Sequence, residues 1–159
     1  MSHEYWDCVE DAYKEVSIYD GAEVFLGAFR KLPEHVGDLL AAHWTLYEVA
    51  NGGFLQFFRN STGVLAPEAA RAFERMGLPE VARLVEQAMA YFGQPFPRDR
   101  TERRRMHAQQ SGHSPEDKDW KPYDHRPFED IERRFCELAA QDFSNIYDAM
   151  DLYAKQNAT

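Results

Sequence analysis

The stretch from Trp44 to Gly63, WTLYEVANGGFLQFFRNSTG, holds the densest group of side chains that could do chemistry. The amides of Asn51, Gln56 and Asn60, together with His43, could line a polar pocket for a small ligand. No nucleophile with an adjacent base lies nearby, so the stretch predicts no catalytic group. We favour an architectural interpretation, in which the amides of Gln56 and Asn60 satisfy buried backbone groups. His43 is then a satisfied core or boundary histidine rather than a base.

Other histidines and carboxylates lack the spacing of a metal site. Neither an HExxH sequence nor paired Cys/His spacing is present, so we interpret the histidines after residue 100 as members of a polar loop. The loop residues concerned are His107, His113, His125, Asp117, Asp119 and Asp124. Cys8 and Cys136 are far apart, which favours reduced thiols over a disulfide framework. We therefore predict no metal, no cofactor and no enzymatic activity.

Acidic residues are concentrated at the two ends of the 159-residue chain. Its 27 acidic and 18 basic side chains give a net charge of -9, which argues against tight binding to nucleic acid. Acidic residues outnumber basic ones in residues 1–60 and 128–159, whereas basic residues are in slight excess in residues 98–127. The chain has neither a membrane-length apolar run nor a signal-like N-terminus. We therefore expect a single soluble, cytoplasmic domain over residues 1–159.

Four carboxylates near the N-terminus predict a solvent-facing acidic stripe on the first helix. On a helical wheel they fall within about 80 degrees of one another, roughly opposite the apolar residues of that helix. We call Glu4, Asp7, Asp11 and Glu15 the carboxylate stripe. Four charges over about 16 Å are sparse beside about ten phosphates in the same length of duplex DNA, so imitation of DNA requires a second set. The candidates for that set are Asp148 and Asp151, Glu34 and Asp38, or a symmetry mate in a homodimer.

The strongest basic feature is RDRTERRR, at residues 98–105. Two acidic residues interrupt it, and it contains no aromatic residue on which a base could stack, so it does not predict a nucleic-acid patch. We favour a solvated helix face, or arginines that pair with acidic residues of the body. A specific form of this hypothesis is that Arg98 or Arg100 docks the surrounding segment.

Apolar periodicity predicts helices almost throughout the chain. A long helix from about Glu34 to Ala50 is expected to end at Gly52-Gly53, because a glycine readily adopts the left-handed conformation of a helix C-cap. Asn60 to Gly63 is expected to form a turn. No strand-like alternation longer than four residues is present. We therefore predict an all-α fold of about six to eight helices.

The second half of the chain contains the segment that is hardest to interpret. Helices are expected at about 66–76 and 79–92. Residues 93–127 then form a long irregular segment, which is a functional loop, a partly helical wrap or a mobile excursion, and within which 101–110 is a candidate short helix. The helical period resumes after Pro127, and Asp142 or Ser144 is expected to cap a separate last helix.

The sequence NGGFLQFFRN, at 51–60, resembles the signature of a bacterial domain-of-unknown-function family typified by a Neisseria DNA-mimic protein. NGGF, followed by QFF, an Asn and a turn Gly, carries the resemblance. The resemblance implies an all-α protein. The DNA-mimic protein that typifies the family occupies the DNA-binding surface of a helix-turn-helix regulator by imitating the charge of duplex DNA. We expect the largely apolar motif to carry the fold rather than a mimic surface. Its residues are Trp44, Asn51, Gly52, Gly53, Phe54, Gln56, Phe57, Phe58, Asn60 and Gly63.

These observations predict an acidic, DNA-mimic-like protein that binds the basic DNA-binding surface of a transcription regulator or of another nucleic-acid-binding protein. The expected contact residues are the carboxylate stripe with Asp148 and Asp151, and neither nucleic acid nor a membrane is an expected partner. One alternative is a protein that resembles a toxin-immunity protein. The other is a small-ligand binder or enzyme with a pocket near the NGGF motif. The two protein-binding functions predict affinity that falls steeply with salt, because salt screens exposed charges.

Overall fold

Seven α-helices and two short 3-10 helices make up the described part of the chain. The computed structural model describes residues 3–158, without the side chains of residues 140–144. The α-helices are α1 (Glu4–Glu15), α2 (Ala22–Phe29), α3 (Glu34–Arg59), α4 (Ala66–Arg75), α5 (Pro79–Ala90), α6 (Arg100–Gln110) and α7 (Glu129–Asn157). The 3-10 helices are Ser61–Leu65 and Pro122–Asp124. The described residues contain no strand, which confirms the all-α prediction. No helix among them combines the length and the apolar composition of a membrane span.

The central element of the fold is α3, which packs against α1, α4, α6 and α7. Its second half contributes Phe54, Phe57 and Phe58, and none of these three side chains is accessible to solvent. Their rings contact one another and Phe128, which directly precedes α7. Burial of this aromatic group is the main reason that the second half of α3 is fixed in the core.

The expected end of the long helix at Gly52-Gly53 is instead a kink, and the helix continues to Arg59. Gly53 has φ 77° and ψ -178°, a conformation that is essentially restricted to glycine. Helical geometry resumes at Phe54, whose backbone N–H donates to Glu132 Oε1 of α7 at 2.8 Å. Glu132 therefore caps the second half of α3 from another helix, and a contact across 78 residues leaves no local sequence signal.

The prediction of a separate last helix, capped by Asp142 or Ser144, is wrong. α7 is helical from Glu129 to Asn157, and the side chains of those two residues lie outside the described set. Buried residues recur on one face through its length, at helical intervals. They are Phe135, Ala139, Ile146, Met150 and Ala154. Because buried apolar residues lie on this face both before and after residues 140–144, the helix does not stop there.

Residues 93–127 include the short helix expected near 101–110, observed as α6, and arginines hold it to the body. Arg103 of α6 is 1% exposed. Its guanidinium donates to four backbone carbonyls, at 2.6 to 3.1 Å, and burial lowers its pKa to about 10. The four acceptors belong to Phe58, Asn60, Pro97 and Arg98. One arginine thus joins α6, the end of α3 and the segment between them.

His107 is fully buried, and the expectation of a polar-loop histidine is wrong for this residue. Its Nε2 donates to the carbonyl oxygen of Pro122 at 2.9 Å, and its Nδ1 lies 3.1 Å from the Tyr91 hydroxyl, from which it accepts. Burial lowers the pKa of His107, which favours the neutral ring that this pair of bonds requires. The ring ties the segment after α6 to the body.

Arg98→Ala is expected to increase proteolysis within residues 93–127. Arg98 donates to both carboxylate oxygens of Glu68, at 2.6 and 3.0 Å, and to the carbonyl oxygen of Val64 at 2.7 Å. Loss of these charge-assisted bonds costs about 1 to 2 kcal/mol, which raises the population of the opened segment about tenfold. Digestion with a glutamate-specific protease, followed by mass spectrometry, measures the cleavage rate at Glu102 and Glu116.

Arg100→Ala is the matched control for Arg98→Ala. Arg100 is exposed, and its Nη1 lies 3.5 Å from Ser61 Oγ, at the limit of a hydrogen bond. Its replacement is expected to leave the cleavage rate at wild-type level. Equal rates for the two variants would contradict the docking role of Arg98.

Candidate protein-interaction surface

All four residues of the carboxylate stripe are exposed along one side of α1. The opposite side of the helix buries Tyr5, Val9 and Ala12 against the rest of the fold. This division follows from the helical period, because residues three and four apart share a face. Asp7, Asp11 and Glu15 have no ion pair within the described residues, so their charges are open to an approaching cation.

Asp148 and Asp151 lie on α7, which packs against α1, but their surroundings differ. Asp148 is exposed. Asp151 is partly buried, and its Oδ1 accepts the backbone N–H of Tyr5 at 2.8 Å while its Oδ2 lies 3.4 Å from His3 Nδ1. Asp151 therefore caps the N-terminus of α1, where a negative charge is stabilising. It fixes the helix that carries the stripe.

Lys155 of α7 reaches across to the first residue of the carboxylate stripe. Its Nζ lies 2.8 Å from Glu4 Oε2, and both side chains are about 60% exposed. Exposed pairs of this kind contribute little to stability because water screens them. The contact nevertheless offsets part of the negative charge at the N-terminal end of the stripe, so the field is strongest further along α1.

Glu34 and Asp38 do not form a second exposed stripe. Asp38 is 6% exposed. Each of its carboxylate oxygens accepts a hydrogen bond from Arg75 Nη1 at 2.9 Å, and Oδ2 also accepts one from the Tyr153 hydroxyl at 2.7 Å. Burial and this hydrogen bond raise the pKa of Tyr153. The same guanidinium lies 3.6 Å from Glu34. Arg75 therefore offsets the charge of Asp38 and part of that of Glu34, and Asp38 joins α3 to α4 and α7.

The polar residues of the NGGF motif surround the buried carboxylate of Glu48, which is 6% exposed. Gln56 Nε2 and Asn60 Nδ2 donate to its Oε2, at 2.8 and 3.0 Å, and the Thr62 hydroxyl donates to its Oε1 at 2.8 Å. The two amides therefore satisfy a side chain, not the backbone groups expected from the sequence. Asn51 lies apart from this cluster, exposed, and its Nδ2 donates to the Tyr47 carbonyl oxygen at 2.8 Å.

The last residue of the motif is Gly63, and no larger residue fits at its position. A Cβ atom there would lie 2.6 Å from the Phe57 carbonyl oxygen and 2.9 Å from Phe58 Cα. The 3-10 helix that contains Gly63 thus packs directly on the backbone of α3. The motif residues form a joint between α3, α6 and α7, with Trp44 on the opposite, partly exposed side near α1.

The sequence interpretation missed a group of aromatic rings around His43, between α1 and α3. His43 Nδ1 lies 3.0 Å from the Tyr5 hydroxyl, and burial lowers its pKa to about 4. The ring is therefore neutral at pH 7, as expected of a satisfied boundary histidine. The sequence did contain a signal for this group, because Trp6 and Tyr13 lie at one edge of the apolar face of α1. Tyr13 stacks on Trp44 of α3.

The fold and surface together define an acidic all-α protein in which carboxylates line one exposed helix. The family model described as DMP19-like protein matches residues 30–157. This protein therefore belongs to the DMP19-like family, which confirms the family resemblance stated in the sequence analysis. The carboxylate stripe precedes the matched residues, whereas Asp148 and Asp151 lie within them. No curated protein and no solved structure matches the chain.

Proposed function

We propose that this protein is a DNA-mimic-like interaction protein that binds the basic DNA-binding surface of a transcription regulator or of another nucleic-acid-binding protein. The observation that carries the proposal is the exposure of the whole carboxylate stripe along α1, with Asp148 exposed on the neighbouring helix α7. Membership in the DMP19-like family is consistent with this function. Since a bacterial regulator acts on the chromosome, the proposal places the protein in the cytoplasm.

The arrangement of charge supports a protein partner with a basic surface. The stripe is held on a helix whose N-terminus is fixed by Asp151 and whose apolar face is buried, so its carboxylates are presented in a set order. Ordered charges accelerate encounter with a complementary surface and disfavour partners of the same sign. Because α1 alone is too sparse to imitate a duplex, Asp148 or a second copy in a homodimer would supply further charge.

The contacts of the NGGF motif favour this function over a small-ligand site. Gln56 and Asn60 direct their amide donors to Glu48, and Thr62 directs its hydroxyl to the same carboxylate. Donors that are committed to an internal carboxylate are not available to orient a ligand. We therefore assign the motif an architectural role and infer no enzymatic activity from it.

Reversal of all four stripe carboxylates to lysine is expected to abolish capture of the partner. The first step is a pull-down from the native host at low and high salt, in which salt releases a partner held by exposed charge. The captured protein is then purified and mixed with its own DNA site, and a gel-shift assay measures competition. A regulator that the wild-type protein displaces from DNA, and the reversed variant does not, supports the proposal.

Two matched double variants distinguish the effect of the stripe charges on partner binding from the effect of net charge. Asp7→Asn with Asp11→Asn removes two charges from the stripe, and Glu74→Gln with Glu86→Gln removes two exposed charges from α4 and α5. The stripe pair is expected to weaken partner binding about tenfold, as loss of two exposed charge contacts predicts, and the control pair to weaken it less than twofold. Equal losses would show that net charge alone acts, which contradicts a stripe-specific contact.

Competition with DNA also distinguishes the mimic from a toxin-immunity-like protein. Both bind a basic partner, and both lose affinity as salt rises. Only a mimic must cover the surface that binds duplex DNA. A captured partner that binds its DNA site and this protein at the same time would overturn the mimic proposal.

A further inference from the structure

A small cavity lies where α2, the 3-10 helix Ser61–Leu65 and the start of α6 meet. Its volume is about 180 Å³, and arginines are prominent in its lining. The arginines are Arg98, Arg100 and Arg103, and Asp99 is the acidic residue among the described residues that line the cavity. Although the protein has a net charge of -9, this cavity is therefore lined mainly by positive charge.

The buried charge of Arg103 has no ion pair within the described residues. Four of its N–H groups donate to backbone carbonyls, which carry no net charge, and the fifth N–H group of a guanidinium has no acceptor among those residues. Burial lowers its pKa to about 10, one aspartate raises it, and three neighbouring arginines lower it further. These neighbours are Asp99, Arg98, Arg100 and Arg104. A buried cation in such positive surroundings is stabilised by an anion.

Arg98 and Asp99 already have partners inside the protein. The guanidinium of Arg98 donates to both carboxylate oxygens of Glu68. The Oδ1 atom of Asp99 accepts the backbone N–H of Glu102 at 2.9 Å and so caps the N-terminus of α6. The charges of these two residues are therefore engaged in the fold.

Arg100, in contrast, has no ion pair within the described residues. It is exposed, and its Nη1 lies 3.5 Å from Ser61 Oγ. Together with Arg103, it brings to one cavity two positive charges that no carboxylate pairs with in the described part of the chain. The hydroxyls of Ser61 and Thr101 are further donors in the lining. α2 also begins here, and its N-cap, Gly21, has no side chain to offset the positive end of the helix.

We propose that this cavity binds a phosphate group, carried by inorganic phosphate or by a small phosphate monoester. A phosphate dianion matches the two unpaired guanidinium charges, and its oxygens fit the planar fork of arginine. A carboxylate carries one charge and two oxygens, so it uses fewer of the donors that line the cavity. The site contains no residue of the carboxylate stripe, and the inference does not depend on the proposed function.

The test is a titration of nitrogen-15 labelled protein with sodium phosphate, at an ionic strength held constant with sodium chloride. The backbone amide signals of Ser61 and Thr101 are expected to shift and to saturate, with a dissociation constant of about 1 mM or lower. Acetate, the matched carboxylate, is expected to bind about tenfold more weakly because it carries a single charge. Methyl phosphate distinguishes the two sources of the group. Affinity equal to that of phosphate assigns the site to monoesters as well, and weaker binding assigns it to inorganic phosphate.

Two pairs of variants locate the site. Arg100→Gln is expected to weaken phosphate binding about tenfold, because it removes a charge-assisted contact. Arg83→Gln removes the same charge from an exposed position on α5, outside the lining, and is expected to weaken binding less than about twofold. Thr101→Glu places a carboxylate in the first turn of α6, where it suits the helix but occupies the cavity, so saturable binding is expected to be lost. Thr101→Gln has the same size without the charge and is expected to keep it.

Four results would overturn the phosphate site. They are an absence of saturable shifts up to about 10 mM phosphate, acetate binding as tight as phosphate binding, equal losses for Arg100→Gln and Arg83→Gln, and binding that survives Thr101→Glu. Circular dichroism of each variant checks that the helices remain folded. None of these results bears on the carboxylate stripe, so failure of the phosphate site leaves the proposed function to its own tests.

Discussion

Glu48→Ala is expected to lower the free energy of unfolding by about 4 kcal/mol, because three donors lose their common acceptor and a buried void replaces the side chain. Thr62, which is 3% exposed, cannot turn to water, and Gln56 and Asn60 are only partly able to do so. For a chain of this length, such a loss lowers the melting temperature by about 10 °C. Thermal and urea unfolding, followed by circular dichroism, measure both quantities.

Glu48→Gln is the conservative comparison for the alanine variant. The glutamine oxygen can accept hydrogen bonds, but its NH2 group then faces at least one of the three donors, so we expect a loss of about 1 to 2 kcal/mol. The order of stability is therefore wild type, then Glu48→Gln, then Glu48→Ala. A Glu48→Ala variant that melts within 2 °C of the wild type would refute the central role of this carboxylate.

Helix boundaries could be predicted wherever a local residue determines them. The start of α5 at Pro79 and the separation of α4 from α5 near Gly77 follow from the restricted φ of proline and the freedom of glycine. The kink in α3 could not be predicted in this way, because Gly52-Gly53 is compatible with either a stop or a bend. The carboxylate of Glu132 selects the bend, and only the tertiary fold brings it to Phe54.

The candidate surface was predictable in part for the same reason. Exposure of the carboxylate stripe follows from helical period alone, whereas the pairing of Asp38 with Arg75 and Tyr153 depends on contacts across 37 and 115 residues. Glu48 did leave a local signal, since Ala41, Thr45 and Glu48 recur at helical spacing on one face. Ala41 and Thr45 are fully buried, so a carboxylate on that face required partners.

α7 contacts both the helix that carries the acidic surface, α1, and the kink of α3. One face of this helix supplies Glu132 to the kink of α3, and a later turn supplies Asp151 to the N-terminus of α1. Both carboxylates accept a backbone N–H at 2.8 Å from a helical segment that begins there. α7 therefore sets the position of the carboxylate stripe relative to the core. A substitution at the kink is expected first to lower the free energy of unfolding.

Gly53→Ala is expected to lower the free energy of unfolding by about 4 kcal/mol, through two separate effects. Alanine is strained at φ 77° and ψ -178°, and its Cβ would collide with Glu132 Oε1, which then has to leave the Phe54 N–H. Gly77→Ala is the matched control, because φ is 76° there and no atom lies within 4 Å of the added Cβ. We expect Gly77→Ala to cost about 1 kcal/mol, the backbone strain alone. Chemical unfolding at constant temperature compares the two.

A double-mutant cycle with Glu132→Ala isolates the collision. Glu132→Ala alone is expected to cost about 1 to 2 kcal/mol, because it removes the charged cap of Phe54. In the Gly53→Ala background the cap is already displaced and the colliding carboxylate is gone, so the double variant is expected to be no less stable than Gly53→Ala. Full additivity of the two losses would mean that the alanine at 53 and the carboxylate at 132 act independently. The kink would then depend on glycine for its backbone conformation alone, and Glu132 would cap a bend that it does not require.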